Sequence, residues 1–211
     1  MDGKLLTWVS SFKYLGSMFH DTCSLDIELS RRIQLAAHAF RRLRHAFFRQ
    51  RCIRLQVRMQ VYHCMVTSVL LYGCEAWALS AVQLERLEVF HRQCLRQIVG
   101  WRLSDRMSNE QLCGRCNATT MRVMVVRHQL RWLGHLGRMG NGRLARQCLH
   151  ITMAADGRRR RPGRRLHDLS MQYEDLAQRF RACLPRGTPR GTTWLDMCVN
   201  RAQYRELCRS L

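Results

Sequence analysis

The sequence predicts a mainly α-helical protein: a helical bundle with a small N-terminal β-hairpin and a basic C-terminal helical segment. Apolar residues recur at spacings of three and four over long stretches, which is the period of amphipathic helices. Only three prolines occur in 211 residues, and hydrophobic residues make up 46% of the chain, enough for a buried core. The expected division is a hairpin at 1–20, a three-helix bundle at 21–100, a further helical segment at 101–150, and an arginine-rich loop with terminal helices at 151–211.

The N-terminal segment predicts a two-stranded ribbon. Residues 4–9 and 12–19 are rich in β-branched and aromatic side chains, and the Ser10-Ser11 pair between them is expected to form the turn. A ribbon of two strands is only marginally stable in water. We therefore expect it to pack on the helices that follow or on another domain.

The first helix of the predicted bundle follows Ser24, a residue suited to a helix N-cap. Asp26 and Glu28 then stand in the first turn, where negative charge favours a helix start. Apolar residues at helical spacing continue to Phe47, and arginines occupy the opposite face. The pattern predicts one long amphipathic helix.

Two more helices complete the predicted bundle. A wide apolar arc from about Arg54 to Leu79 is typical of a central, largely buried helix. Ser80 and Gln83 then have the spacing of a capping box, and the helix that they begin is expected to end at Gly100. Short connections between three such helices predict an antiparallel arrangement.

Beyond Gly100 the chain alternates between helical and basic segments. A short helix is expected near Ser108 to Cys113, and a longer one from about Thr119 to Arg138. Residues 156–165 contain six arginines with glycine and proline, which predicts an exposed basic loop. Residues 166–184 and 194–207 are two further expected helices.

The charge of the chain is strongly positive. It carries 36 basic and 15 acidic residues, a net charge of +21, and the basic residues are arginines except for Lys4 and Lys13. A GC-rich genome would explain arginine in place of lysine but not the net charge, so we expect a polyanionic partner, RNA or DNA, bound without sequence preference. For residues 158–165 a solvated loop or a nuclear-import signal stays an alternative. The arginines expected to contact nucleic acid are Arg31, Arg41, Arg42, Arg44, Arg131, Arg138, Arg158, Arg159, Arg160, Arg161, Arg164 and Arg165.

The eleven cysteines are scattered through apolar helical patterns rather than placed at the spacings of a disulfide framework. No apolar segment typical of a secretory signal follows Met1, and no stretch approaches the length of a transmembrane helix. The sequence therefore predicts an intracellular protein, nuclear or cytoplasmic and not secreted, with free thiols and no membrane partner.

Four residues could be considered as zinc ligands: Cys113, Cys116, His128 and His135. Their spacing departs from that of zinc fingers, and the two histidines would lie about 10 Å apart along one helix. Both could bind one ion only if the helix broke near Gly134, a residue that we expect to end the helix. The prediction is no metal and no cofactor, with a structural role for His135.

Several short segments occur in an order that resembles a known family. They are Phe12-Lys13-Tyr14-Leu15-Gly16-Ser17, Leu70-Leu71-Tyr72-Gly73-Cys74-Glu75-Ala76-Trp77, Arg131-Trp132-Leu133-Gly134-His135, the Gly/Arg-rich residues 157–165, and the terminal residues Trp194, Asn200, Arg201, Tyr204 and Arg205. Together they resemble the thumb and post-palm C-terminal region of reverse transcriptases from non-LTR (LINE-type) retrotransposons. Leu166 stands where that family usually has Trp, Asn200 where it has Asp, and Tyr204 where it has Trp. The motif residues are Phe12, Tyr14, Leu15, Gly16, Leu71, Tyr72, Gly73, Glu75, Trp77, Trp132, Gly134 and His135.

The resemblance implies a part of a polymerase that holds nucleic acid. Its palm would be a partner and would bind catalytic magnesium through adjacent aspartates, whereas this chain has no Asp-Asp pair. We therefore expect the chain alone not to be an enzyme. Two alternatives stay open: a non-catalytic part of a working RNA-directed DNA polymerase completed by another chain, and a nonfunctional transposon relic.

Overall fold

The computed structural model of the chain describes residues 7–101, 107–148 and 194–210. These residues are mostly helical and include a two-stranded antiparallel hairpin, which confirms the predicted fold class. The strands are β1 (Ser11–Tyr14) and β2 (Ser17–His20). The helices are α1 (Asp26–Leu43), α2 (Leu55–Tyr62), α3 (Ser68–Leu70), α4 (Ala81–Val99), α5 (Asn109–Cys116), α6 (Met121–Gly137), α7 (Trp194–Val199) and α8 (Arg201–Ser210).

The contacts of the chain divide it into two compact units. The first lies within Met1–Gly73 and Ala81–Ala118, and the second within Cys74–Ser80 and Thr119–Leu211. The finer division into four segments stays a prediction. Within the described parts of the chain, no helix has the length and apolar character that crossing a bilayer requires.

The hairpin turns at Leu15 and Gly16, so the predicted turn at Ser10-Ser11 was wrong. Leu15 has φ 46° and Gly16 φ 88°, the left-handed backbone that a two-residue type I′ turn requires and that glycine adopts readily. The two strands pair across this turn with Phe12 opposite Phe19. The segment Phe12 to Ser17 is thus one strand, the turn and the start of the second strand, rather than a single strand.

The first predicted helix is confirmed, with a change of hydrogen-bond pattern near its end. α1 runs to Leu43 and continues as a π-helical turn, Arg44–Phe48. The predicted N-cap at Ser24 was wrong by one residue: Leu25 is the N-cap and makes no side-chain cap hydrogen bond, while the Ser24 hydroxyl accepts from the Asp26 N–H at 3.3 Å. Phe40 of α1 and Phe48 of the π turn stack at 4.8 Å in the core of the first unit.

The second predicted helix is shorter than expected. α2, a π-helical turn and α3 follow one another without a break, but the helix ends at Leu70 instead of Leu79. Gly73 has φ 74°, a left-handed conformation that a continuing right-handed helix excludes, and a 3₁₀ turn, Cys74–Ala76, follows it. The apolar residues after Leu70 therefore belong to a connection and not to a helix.

α4 and α5 begin and end close to the predicted positions. α4 starts directly after Ser80, and Gly100, with φ 76°, ends it. The Trp101 N–H donates to the Arg96 carbonyl at 3.0 Å, a bond typical of a Schellman C-cap. A reciprocal capping box between Ser108 and Gln111 starts α5.

α6 passes through Gly134 without interruption, so the prediction that Gly134 ends this helix was wrong. The helix starts after Thr120, whose hydroxyl accepts from the Val123 N–H, and extends to Gly137. A Cβ atom at Gly134 would lie 2.3 Å from Cε1 of Tyr204. The glycine is present because the tyrosine ring lies directly against the helix backbone there.

Candidate nucleic-acid interface

Two of the motif segments meet in the first unit. The Tyr72 hydroxyl donates a hydrogen bond to the Leu15 carbonyl at 2.8 Å. A Cβ added to Gly16 would lie 3.6 Å from the Tyr72 ring, and one added to Gly73 would lie 3.4 Å from the Ser17 hydroxyl oxygen. The hairpin turn therefore sits against the end of the second helical segment.

A buried ion pair fastens the same turn to α1. Glu28 is only 2% exposed, and its carboxylate accepts from Arg32 Nε at 2.5 Å and from the Met18 N–H at 2.7 Å. Arg32 also donates to the Gly16 carbonyl, and its guanidinium lies 4.4 Å from the centre of the Tyr72 ring. The network joins strand, turn and helix around one buried charge pair.

Arg32 was missed by the sequence interpretation, although one signal pointed to it. Glu28 and Arg32 are four residues apart, the spacing at which opposite charges meet on a helix. The sequence interpretation selected Arg31 instead. Arg31 is half-buried and donates to the Gly16 carbonyl at 2.8 Å, so one of its donors is engaged within the fold.

The other predicted arginines of the first unit differ in exposure. Arg41 and Arg42 are exposed in the last turn of α1. Arg44 is half-buried within the π turn that follows. Arg41 and Arg42 are therefore the predicted residues of this unit that are most accessible to a phosphate backbone.

In the second unit the turn that contains Glu75 is held by α6. Gln129 is buried and donates to the Trp77 carbonyl at 2.9 Å, and the Glu75 carboxylate lies 3.3 Å from His128 Nδ1. The Trp77 side chain is itself buried. These contacts hold the second motif segment against α6, so Glu75 and Trp77 have structural roles.

The same turn and α6 together bring close three residues of types that can bind a metal ion. Single ligand atoms of Cys74, Glu75 and His128 lie within 4.8 Å of one another. Burial, with a further contribution from the Glu75 charge, raises the pKa of the Cys74 thiol well above its ordinary value. A metal ion bound there would have to displace a firmly held proton.

The four residues considered for zinc lie on two helices. Cys113 and Cys116 are on α5, and burial raises the pKa of the Cys116 thiol to about 11. His128 and His135 are on α6, which does not break between them and so keeps them about 10 Å apart along its axis. α6 has no break near Gly134, and such a break was the condition for one zinc ion to be bound by both histidines.

The Trp-Leu-Gly-His segment meets the C-terminal motif residues. Tyr204 of α8 packs on Gly134, and its hydroxyl donates to the Leu130 carbonyl at 2.7 Å. Arg138 donates to the Cys198 carbonyl at 3.1 Å, and its guanidinium lies 5.9 Å from the centre of the Tyr204 ring. Arg138, predicted to contact nucleic acid, is half-buried and helps to hold α7.

Asn200 and Tyr204, which differ from the pattern of the resembled family, both have structural roles here. The Asn200 side-chain oxygen accepts from the N–H groups of Ala202 and Gln203, at 3.1 and 3.2 Å, and so caps α8 as an aspartate would. Tyr204 supplies a large ring for the packing on Gly134.

Arg131, Trp132 and His135 lie on the solvent side of α6. The rings of Trp132 and His135 are in contact, with their centres 5.5 Å apart. The remaining predicted arginines, Arg158, Arg159, Arg160, Arg161, Arg164 and Arg165, lie outside the described residues, as does Leu166.

Comparison with known proteins gives one informative relative. An uncharacterized transposon-derived protein of Caenorhabditis elegans is 26% identical over 144 residues, which cover 64% of this chain and 49% of that protein. The chain thus matches about half the length of this curated relative. No protein-family model matches the chain, and no solved structure matches it. The similarity is consistent with a transposon-related origin.

Proposed function

We propose that this chain is a nucleic-acid-binding C-terminal part of a reverse transcriptase from a LINE-type retrotransposon. In this proposal it lacks the catalytic palm, holds template–primer or element RNA through its arginines, and does not transfer nucleotides alone. It acts inside the cell, in the nucleus or cytoplasm. The transposon-derived relative supports the origin at a coarser level.

The observation that carries the proposal is the pairing of motif segments. The Phe12–Ser17 turn packs on Tyr72, and Gly134 packs on Tyr204, although 57 and 70 residues separate the partners in sequence. Segments that merely resembled a family by chance would have no reason to contact one another in pairs. The contacts therefore favour common descent of the motifs as interacting structural parts.

The charge of the chain supports the binding part of the proposal. The net charge is +21, and several of the described carboxylates are already paired with basic groups: Asp26 with Arg86, Glu28 with Arg32, and Glu85 with Arg92. These pairs leave a large excess of arginine for a phosphate backbone. Arginine suits that partner because its planar guanidinium binds phosphate with two parallel hydrogen bonds.

The same pairs support the non-catalytic part. Polymerases transfer nucleotides with two metal ions held by clustered carboxylates, and this sequence has no Asp-Asp pair. The described carboxylates named above stabilise arginines instead. We expect no primer extension on a homopolymer template–primer with either Mg²⁺ or Mn²⁺, and extension that persists through stringent purification would refute this part.

The binding part is tested by salt dependence. Affinity for a single-stranded oligonucleotide should fall steeply with salt, because each arginine–phosphate contact releases bound counterions. Replacing Arg41 and Arg42 with alanine should reduce the slope of log K against log salt by about 1.4 if each contacts one phosphate. The matched control replaces Arg86 and Arg92, which removes the same charge from residues already paired with carboxylates. Equal slopes for both double variants would mean that only net charge matters.

The hairpin favours the alternative of a polymerase completed by another chain. Phe12, Tyr14, Leu15 and Phe19 are each more than half exposed, although the turn is fixed to α1 and Tyr72. A rigid hairpin with exposed aromatic residues suits docking to a further domain such as a palm. A mixture of this chain with a separate palm-containing polypeptide should then extend primers, and a Phe12→Lys, Phe19→Lys variant should extend them less.

A further inference from the structure

We propose that Trp132 and His135 on α6 form a stacking surface for an unpaired nucleobase, with Arg131 beside them to receive the adjoining phosphate. The inference rests on the proposed nucleic-acid binding and adds a specific site to it. It also assigns a ligand, the single-stranded form of RNA or DNA with its base faces accessible.

The aromatic pair lies outside the core that joins α6 with α7 and α8. That core consists of Leu130, Leu133, Leu136, Cys198, Tyr204, Leu207 and Cys208. Neither Trp132 nor His135 belongs to it: Trp132 is 38% exposed, and His135 is exposed as well. Burial in this core therefore does not explain why a tryptophan occupies this position.

The two rings of the pair lie beside each other on the exposed face of α6. Trp132 and His135 are three residues apart on a continuous helix, and their ring centres are 5.5 Å apart at 42°. Arg131 is four residues before His135 and therefore lies along the same exposed face. An exposed aromatic pair and a cation thus share one face of the helix, the combination that binds single-stranded nucleic acids.

The charge of α6 complements that of a nucleic acid. Arg122 and Arg131 are exposed on α6, which contains no acidic residue in 17 positions, so this face attracts a phosphate backbone. Base stacking on aromatic rings tolerates every base, in agreement with binding that lacks sequence preference. A duplex hides its base faces between neighbouring pairs and could offer only its phosphates to this surface.

The experiment measures binding of oligo(rU) and oligo(dT) of about ten nucleotides, and of a duplex of equal length, across a range of salt concentrations. We expect Trp132→Ala to weaken single-strand binding by about 5- to 150-fold, the loss that corresponds to one stacked base. Its salt slope should match that of the unchanged protein, because no phosphate contact is removed. Duplex binding should change less than twofold, and Trp132→Phe should restore most of the single-strand affinity.

Trp8→Ala is the matched control, since Trp8 is 90% exposed and lies in the other unit. Single-strand affinity that is the same for Trp132→Ala and Trp8→Ala overturns the inference, and so does an equal loss for single strand and duplex. If the unchanged protein shows no salt-dependent binding, the proposed function fails and this inference with it.

A direct measurement covers the case in which Trp132→Ala does not fold. Oligo(5-iodouridine) is irradiated with the unchanged protein, because this base crosslinks efficiently to the aromatic ring on which it stacks. Trypsin then releases residues 132–138 as one peptide, between Arg131 and Arg138. We expect the crosslink in that peptide, and crosslinks confined to other peptides would overturn the inference.

Discussion

The hydroxyl of Tyr72 donates a hydrogen bond to the carbonyl of Leu15 at 2.8 Å, across 57 residues of sequence. Leu15 has a positive φ, which non-glycine residues rarely adopt, so the turn benefits from an external contact that holds it. The bond gives Tyr72, two residues after the end of α3 at Leu70, a role in holding the turn. It fixes the hairpin while leaving the aromatic residues of the strands exposed.

Replacing Tyr72 with phenylalanine should lower the free energy of unfolding of the first unit by about 0.5–1.5 kcal/mol, the net contribution of one hydrogen bond. The ring, and with it the contact to the Arg32 guanidinium, is retained. Urea denaturation should show a lower midpoint at an unchanged slope. Tyr14→Phe is the control, since it removes a hydroxyl from the exposed strand β1, and an equal loss in both variants would contradict the prediction.

The helices whose ends are marked by local signals could be predicted from the sequence. Gly100 ends α4, and α5 starts at Ser108, because caps act within one turn of the helix. The end of the second helix could not be predicted in this way. Its apolar pattern continues past Leu70 into residues that are buried for a different reason, such as Trp77, which lies under α6.

The contacts between distant residues were beyond the sequence interpretation. The sequence around Gly134 predicts the end of a helix. Only the position of Tyr204 explains why a glycine occurs inside the helix there. The same holds for Arg32, whose partners Gly16 and Tyr72 lie 16 and 40 residues away. Local periodicity identifies helices, but it does not identify the residues that join them.

Replacing Gly134 with alanine should destabilise the second unit, because the new methyl group would lie 2.3 Å from a ring atom of Tyr204. Overpacking of this kind costs about 1–3 kcal/mol. The control is Gly114→Ala in α5, where an added Cβ has no neighbour within 4 Å. That variant should gain about 0.5–1 kcal/mol, because alanine is the better helix former.

A second substitution shows whether the loss of stability in Gly134→Ala comes from the clash with Tyr204. Combining Gly134→Ala with Tyr204→Leu removes the ring that the methyl group would touch. The loss in the double variant should then be smaller than the sum of the two single losses. Additive losses, measured by urea denaturation, would contradict the packing explanation.

Of these changes, replacing Glu28 with alanine should lower the free energy of unfolding of the first unit the most. Arg32 is 5% exposed, and loss of its carboxylate partner leaves a buried charge without compensation. Breaking a buried pair in this way costs about 3–5 kcal/mol. Glu85→Ala is the control, because it breaks a pair with Arg92 in which the carboxylate is largely exposed, and it should cost less than about 1 kcal/mol. Similar losses in the two variants would contradict the role assigned to Glu28.

The stability of the first unit should fall as the pH rises above 9, and Cys94 should account for part of the fall. Burial raises the pKa of the Cys94 thiol from 9.0 to about 12, against an opposing hydrogen bond with Tyr62. A thiol with a raised pKa in the folded protein contributes stability that is complete below pH 9. That contribution is lost as the pH rises towards 12, since the unfolded chain releases its proton first.

The loss attributable to Cys94 is at most about 1.4 kcal/mol for each pH unit, the limit for one proton. Urea denaturation at pH 8, 9, 10 and 11 should therefore give a steeper decline for the unchanged protein than for Cys94→Ala. Cys64→Ala is the control, because it removes an exposed thiol from the same unit. Parallel curves for the unchanged protein and Cys94→Ala would show that the folded state does not hold this proton more tightly than the unfolded chain does.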